Sequence, residues 1–269
     1  MAKPLNIVVC GSLVPDPLQT LEPVATPQGP GLKNEQMLPS VLDPWAACAL
    51  YEAANLAKQR PGTKVFLVAL GPKAKLQQLM MTVAQKAPFT LVAVNAPAGG
   101  FTDAKPVAAA LAKAIQGIPG LDLASTLLFG GCASASRDAG VTLQFVAEAL
   151  GITEAFMAVD ELKLADDDTF TVFERIEGGQ YLSSTCTGFP VVVGWATGNL
   201  PEPPNNPQIG MMNMRGVMPA LMKAASADVG VGTIAYAKTE VPSAKRDTRI
   251  VKDLPADAVA RELVEWIRQ

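Results

Sequence analysis

The chain has 269 residues, of which 49% are hydrophobic and 17% are charged. This length and composition exclude the fibrous and intrinsically disordered classes, because they provide for a substantial core in one large or two small domains. The sequence contains no run of about 18 uncharged apolar residues, so we expect no membrane insertion. The formal net charge of −3 offers no basic field to a polyphosphate backbone, so we expect no nucleic-acid partner.

The sequence contains no histidine. Histidine is the usual general base and the most frequent metal ligand, so its absence disfavours hydrolase and zinc-enzyme functions. The four cysteines form no Cys-x-x-Cys pair, which predicts free thiols in a reducing compartment rather than a metal or dithiol site. The N-terminus has neither a signal-peptide nor a transit-peptide pattern, so the expected location is the cytoplasm.

The first 150 residues alternate short β-branched runs with longer Ala- and Leu-rich segments, which predicts four strand–helix units of a parallel sheet. The predicted strands are Asn6–Cys10, Val65–Leu70, Thr90–Val94 and Thr126–Phe129. The predicted helices are 44–59, 75–85, 106–115 and a segment ending at Leu150, with apolar positions at Leu143, Val146 and Ala147. Residues 11–40 are rich in proline and glycine and are predicted to be a long irregular excursion.

Beyond residue 150 the sequence predicts antiparallel additions to the sheet, followed by a poorly structured C-terminal arm. The added strands are Phe156–Leu162, Phe170–Arg175, Tyr181–Thr185 and Val191–Trp195, with a hairpin turn at Glu174–Gly179. A short helix is predicted near 217–225, then a connector over 226–252 without an evident core, then an amphipathic helix over 257–268 in which Asp257 and Arg261 can pair.

The loops that follow the predicted parallel strands contain the candidate ligand-binding residues, because ligands bind beyond the carboxyl ends of such strands. The strongest candidate is Gly130–Asp138, where small residues allow close approach and Ser134, Ser136 and Arg137 can bind a phosphate. A tight turn that only caps the following helix is the alternative. Cys132 lies near a helix N-terminus, where a thiol pKa can be lowered, but without a histidine a packing role is favoured.

Five of the ten methionines lie in one short segment, at Met211, Met212, Met214, Met218 and Met222. Methionine side chains are flexible and polarizable, and they are frequent at surfaces that fit several partners. The segment therefore predicts a docking element formed by a loop and a short helix. The alternative is that these side chains fill an irregular gap in the core.

Several segments resemble, in chain order, the beta subunit of electron transfer flavoprotein. They are the strand Asn6–Cys10, the helix start Asp43-Pro44, Val68–Pro72, Leu128–Gly131 with its loop, Glu174–Gly179, Phe189–Val192 and Met218–Ala224. The resemblance implies an α/β fold of the adenine-nucleotide alpha-hydrolase-like type, with a mostly parallel sheet, crossover helices, antiparallel strands and a C-terminal arm and helix. It also implies a nucleotide-binding domain over 1–225, with a recognition loop near 205–224, and a C-terminal segment over 226–269 that packs on a partner subunit.

The family is a heterodimeric electron carrier in which an alpha subunit holds the redox-active FAD. The resemblance implies that this chain binds AMP, or a second FAD in a bifurcating member, and has no catalytic residues of its own. Electrons would come from a flavin-dependent dehydrogenase and pass to a downstream quinone oxidoreductase or similar acceptor. The rival interpretation is a stand-alone adenine-nucleotide-binding regulatory domain of the universal-stress type, which needs no alpha subunit.

The site residues follow from the same resemblance. The implied nucleotide site comprises Val9, Cys10, Gly11, Asp43, Leu70, Gly131, Cys132, Ser134, Ser136, Arg137, Asp138, Gly140, Val141 and Thr142. The implied docking surface comprises Met211, Met212, Met214, Arg215, Met218, Leu221 and Met222. The sequence departs from the family pattern at Gly11, Asp43 and Ser136, where the family has lysine, asparagine and aspartate.

Overall fold

The computed structural model describes residues 4–27, 29–97, 101–136, 140–230, 234–241, 248 and 250–268. The chain separates into two compact units, Met1–Thr239 and Glu240–Gln269. Ala225 and Ser226 still pair with a strand of the sheet. The first unit therefore continues beyond residue 225, and the roles expected of segments 1–225 and 226–269 stay predictions.

The described part of the first unit contains twelve strands and five α-helices. The strands are β1 (Asn6–Pro15), β2 (Pro23–Thr26), β3 (Gly29–Leu32), β4 (Ser40–Leu42), β5 (Lys64–Gly71), β6 (Thr90–Asn95), β7 (Thr126–Gly131), β8 (Ala155–Leu164), β9 (Thr169–Arg175), β10 (Tyr181–Thr187), β11 (Val191–Trp195) and β12 (Ala225–Ser226). The helices are α1 (Pro44–Gln59), α2 (Lys73–Val83), α3 (Ala104–Gln116), α4 (Thr142–Leu150) and α5 (Pro207–Met222). The second unit contains α6 (Ala256–Ile267).

The main sheet has the strand order β10-β9-β8-β11-β7-β1-β5-β6-β12, with β4 pairing beside β1. The seven neighbouring strands β8, β11, β7, β1, β5, β6 and β12 all pair in parallel. Strand β9 is antiparallel to β8 and to β10, and β4 is antiparallel to β1. The α/β class with a mostly parallel sheet, crossover helices and added antiparallel strands is therefore confirmed. Among the described residues, no helix is long and apolar enough to cross a membrane.

The central strands are buried on both faces, which is why they are nearly continuous apolar runs. Ile7 and Val9 of β1 point into a layer formed with α1, α2 and α5, whereas Val8 and Cys10 point into a layer formed with α3 and α4. Trp195 and Phe129 pack edge to face in the first layer, with ring centroids 5.3 Å apart.

Helix boundaries follow the capping signals of the sequence. The Asp43 side chain accepts a hydrogen bond from Trp45 N, and Pro44 occupies the first helical position of α1. Asp103 caps α3 in the same way, and Gly151 ends α4 in the left-handed conformation at φ 70°. Local capping residues thus mark the beginnings of α1 and α3 and the end of α4.

Three predictions about the elements are wrong. Val191–Trp195 pairs in parallel with both β7 and β8 and is not an antiparallel addition, and the predicted strand Phe156–Leu162 lies in β8, which is antiparallel only to β9. The short helix near 217–225 is instead the 16-residue helix α5, which begins at Pro207. Residues 11–40 are not one irregular excursion, because β1 continues to Pro15, β2 and β3 form a hairpin, and β4 pairs with β1. The predicted hairpin turn after β9 is confirmed by the pairing of β9 with β10.

The β2–β3 hairpin packs against a residue from far along the chain. Gly29 has φ +122°, and a Cβ added there would lie 2.5 Å from Cδ2 of Tyr236. Tyr236 lies in the predicted connector over 226–252, and Val229 of the same connector is buried in the second layer. Described residues of both segments that were expected to lack a core, Gly29 in one and Val229 and Tyr236 in the other, thus take part in the packing of the first unit. The parts of the connector at 231–233, 242–247 and 249 lie outside the described residues.

We expect Gly29→Ala to destabilise the protein by about 1–3 kcal/mol, because the added methyl group meets the Tyr236 ring and residue 29 needs a positive φ. Gly188→Ala is the matched control, since Gly188 has a similarly large positive φ of +107° but a Cβ there meets nothing within 4 Å. Urea unfolding of both variants measures the difference. Equal losses would show that Tyr236 does not pack on the hairpin.

Candidate functional site

A cleft opens at the carboxyl ends of β1, β5 and β7. From β1 the chain moves outward through β5 and β6 on one side, and β7 and β11 lie on the other side, so β1 and β7 flank the point where the strand order reverses. Such a point leaves a crevice between loops that diverge to opposite faces of the sheet. The cleft is lined by residues 10–14, Asp43, Ala46, Leu70, Thr102, Ala104, Val107, Leu111, Gly130, Gly131, Ala133, Ser134, Ser136, Gly140, Thr142 and Leu143.

The N-terminus of α4 opens into this cleft. Its N-cap, Val141, provides no side-chain hydrogen bond to the first turn, whose N–H groups have no partner within the helix. Gly140 brings the chain close to the preceding loop at φ +59°, where a Cβ would lie 2.1 Å from the Cys132 carbonyl oxygen. The N–H groups of the first turn and the positive end of the helix dipole together favour an anionic group at this end of the cleft.

Asp43 connects the start of α1 to the loop after β7. One carboxylate oxygen accepts from Trp45 N at 3.1 Å, and the other accepts from Ser134 Oγ at 2.6 Å and Ala135 N at 3.1 Å. Ser134 Oγ in turn lies 2.9 Å from Ser136 Oγ. Gly131 allows this approach, because a Cβ there would lie 2.5 Å from Trp45 Cβ. The loop is therefore held in shape by a carboxylate that is only 2% exposed.

Burial raises the pKa of Asp43 above its ordinary value, although its three hydrogen bonds act in the opposite direction. Hydrogen bonds to the ionised form lower a carboxyl pKa, and desolvation raises it. Here desolvation is the larger effect. A negative charge at Asp43 also makes the adjacent wall of the cleft better suited to hydroxyl and amino donors of a ligand than to its phosphate.

The opposite wall of the cleft is apolar, with Leu70, Val107, Leu111 and Leu143. Cys10 joins this wall, and burial raises the pKa of its thiol to about 12, so it remains a neutral packing group. The cleft therefore has three parts: an apolar wall, a wall beside Asp43 and the N-terminus of α4. A ligand that fits all three has a flat apolar group, hydroxyl groups and an anionic group. The residues present thus fit an adenine nucleotide.

The structure brings most of the described candidate residues to one place. Those that line the cleft are Cys10, Gly11, Asp43, Leu70, Gly131, Ser134, Ser136, Gly140 and Thr142. Gly11 contributes only backbone to the cleft, and a larger residue would not fit there, because a Cβ would lie 2.9 Å from Leu67 Cδ1 in the core. Arg137 and Asp138 lie outside the described residues. Ser12, Thr102, Val107 and Leu111 also line the cleft and were missed from the sequence, since nothing local marks them as close to Gly131.

Three predicted residues have other surroundings. The Val9 side chain is buried in the first layer, and Val141 and Cys132 are not among the lining residues. Cys132 instead accepts a hydrogen bond from the backbone N–H of Ala158, and burial raises the pKa of its thiol. The lowered thiol pKa considered from the sequence is therefore wrong, because desolvation outweighs any effect of the nearby helix.

The methionine-rich segment lies within α5 and presents most of its thioethers to solvent. Met211, Met212, Met218 and Met222 are exposed, as is Arg215. Met214 is half-buried against the first layer, and Leu221 is only 2% exposed. The prediction that Leu221 belongs to the docking surface is wrong, because the helix turns that side chain into the core.

The inner face of α5 is fixed by a buried amide. Asn213 Nδ2 donates to the carbonyl oxygens of Ala84 and Ala87, at 2.7 Å each, and its Oδ1 accepts from Phe89 N. These bonds satisfy the turn between α2 and β6, whose backbone groups would otherwise be buried without partners. The outward direction of the methionines is thus set by polar contacts on the opposite face.

Comparison with protein families gives one match. The family model described as the electron transfer flavoprotein domain matches residues 33–234, which is more than half of the chain and includes α1 through α5. No curated protein matches the chain.

We expect Asp43→Asn to change how stability depends on pH. The folded carboxyl has a raised pKa, so the folded state binds this proton more tightly than the unfolded state, and wild-type stability falls as pH rises from about 4 through the raised value. The asparagine variant lacks this contribution. The wild-type free energy of unfolding minus that of the variant should therefore decrease over that window.

Urea unfolding at several pH values measures this difference. Asp122→Asn is the control, because Asp122 is exposed yet also accepts a backbone N–H, from Ala124. The same pH trend in both comparisons would contradict the role of burial at Asp43.

Proposed function

Because the chain belongs to the electron transfer flavoprotein domain family, we propose that it is the beta subunit of a heterodimeric electron carrier. The alpha subunit holds the FAD, which accepts and donates the electrons. This chain binds a nucleotide, packs on the alpha subunit and docks the flavin-dependent dehydrogenase that supplies electrons. A quinone oxidoreductase or similar protein is the downstream acceptor.

The observation that carries this proposal is the exposed methionine face of α5. Met211, Met212 and Met222 are each at least 66% exposed, on a helix whose other face is held by Asn213. A carrier must release its partner after each transfer, so its contact should be small and centred on a few apolar anchors. Flexible thioethers on a rigid helix satisfy both requirements, because they fill pockets without demanding one partner geometry.

The cleft supports AMP as the nucleotide bound by this chain. Leu70 and Val107 offer an apolar wall for adenine, Asp43 lines the part of the cleft that we assign to the ribose hydroxyls, and the N-terminus of α4 can hold the phosphate. AMP supplies no chemistry of its own there and contributes binding energy to the fold. A second FAD at the same place is the alternative, as in bifurcating members of the family.

Helix α6 supports the packing of the C-terminal segment on the alpha subunit. One side of the helix carries apolar residues that are all exposed, namely Val259, Leu263, Val264, Trp266 and Ile267. Asp257 and Arg261 form an i, i+4 ion pair at 3.0 Å. An exposed apolar stripe of this kind fits a contact with the proposed alpha subunit.

We expect the chain to be recovered together with a yellow flavoprotein chain, and the purified complex to release about one flavin and one AMP per heterodimer. A visible spectrum followed by extraction and chromatography measures both. Two flavins per heterodimer with NADH-dependent reduction would indicate a bifurcating carrier. A stable colourless homodimer would instead favour the stand-alone regulatory domain.

We expect Met218→Ala to slow electron acceptance from the dehydrogenase about tenfold, because loss of an exposed anchor weakens docking by roughly 1–2 kcal/mol. Flavin content and melting temperature should stay nearly unchanged, since the side chain is 37% exposed. Rapid mixing with the dehydrogenase measures the rate.

Two further variants serve as controls for this measurement. Met37→Ala removes an 84% exposed thioether outside α5 and should leave the rate unchanged. Met214→Ala should lower the melting temperature, because Met214 packs against the core. A large melting shift for Met218→Ala with a normal rate would contradict the docking role.

A further inference from the structure

Polar contacts from α1 and from the residues after α2 bind the connection between β11 and α5. Residues 197–206, which we call the strap, contain three prolines and one large apolar residue, Leu200, which is 37% exposed. The strap contains no helix or strand. Since little apolar surface is buried here, its conformation depends on the groups that bind its backbone.

Glu52 of α1 binds the first part of the strap. Its carboxylate accepts from Asn199 N at 3.3 Å and also from Leu200 N. Gly198 permits this approach at φ +62°, because a Cβ there would lie only 3.0 Å from Glu52 Oε1. Successive N–H groups around a carboxylate form a concave anion site built from backbone.

The position of Glu52 is unusual for a glutamate. It lies on the buried face of α1 and is 8% exposed, and none of the described basic side chains forms an ion pair with it. Burial raises the pKa of Glu52, and the nearby Glu161 charge acts in the same direction. A buried carboxylate without a cation is costly, so an apolar residue would be expected here if packing were the only requirement.

The second part of the strap is bound by residues at the end of α2. Lys86 Nζ donates to the Pro203 carbonyl oxygen at 3.1 Å and forms an ion pair with Glu202 at 2.7 Å. Asn206 N then donates to Gln85 O, and the Asn206 side chain caps α5 by accepting from Gln208 N and Ile209 N. The strap thus leads directly into the turns that carry Met211 and Met212.

We propose that Glu52 is a positioning residue for partner docking, which fixes the strap and through it the N-terminal turns of α5 that present Met211 and Met212. This proposal rests on the proposed function of the chain as an electron carrier. Glu52 touches neither the partner nor the cofactor. Its contribution is to reduce the conformational freedom that the docking surface would otherwise lose on binding.

The test compares Glu52→Ala with wild type in the complex with the alpha subunit. Amide exchange over residues 197–212 should become about tenfold faster, because two hydrogen bonds to a charged group are lost. The KM for the dehydrogenase that reduces the wild-type complex should rise about three- to tenfold with kcat unchanged. Glu52→Gln keeps one acceptor oxygen and should restore part of both effects.

Two other variants complete the test: a control next to Glu52, and a second variant that releases the strap if Glu52→Ala does not fold. Glu161→Gln is the matched control, because Glu161 lies close enough to affect Glu52 but forms no hydrogen bond to the strap. It should change neither exchange nor KM. Lys86→Met releases the other part of the strap and should raise the KM in the same way as Glu52→Ala.

Unchanged exchange at residues 199 and 200 in Glu52→Ala would overturn the proposal. So would faster exchange with an unchanged KM, or an equal rise in KM in Glu161→Gln. A wild-type complex that no dehydrogenase reduces would overturn the proposed function and the docking role of Glu52 together. Normal wild-type reduction with an unchanged KM in Glu52→Ala would overturn the role of Glu52 alone.

Discussion

The central constraint on this molecule is the burial of β1 on both faces. Ile7, Val8 and Val9 have no exposed surface, and the strand pairs in parallel with β5 on one side and β7 on the other. A strand buried in this way needs helices on both faces of the sheet, and the crossovers must diverge from it in opposite directions. The cleft at its carboxyl end is the direct consequence, because no loop crosses the point where the crossovers separate.

Buried polar groups give this apolar framework its specific loops. Asp43 holds the loop after β7, Asn213 holds the turn between α2 and β6, and Glu52 holds the strap. In each case a side chain in or beside a helix satisfies backbone groups of an irregular segment that would otherwise lack partners. The ligand cleft and the methionine surface therefore both depend on a buried side chain that binds the backbone of an irregular segment, although they lie on different parts of the sheet.

The family membership and the geometry support each other without being the same argument. The family match covers residues 33–234 and concerns the whole α/β domain. The exposure of Met211, Met212 and Met222 and the lining of the cleft are instead observed directly in the structure of this chain. The attachment of the proline-rich strap to Glu52 and Lys86 adds a structural observation to the docking proposal.

The sequence by itself determined the crossover units and the cap at Asp43, because these follow from local periodicity and capping chemistry. Nine residues of the cleft were also predicted, from the rule that ligands bind at strand ends together with the family resemblance. Only the tertiary structure decided the direction of β11, the extent of α5 and the burial of Leu221. Strand direction depends on pairing with distant segments, and burial depends on which helix face meets the sheet, so neither is encoded in local spacing. Glu52 shows the same limit, since its partners at residues 199 and 200 lie almost 150 positions further along the chain.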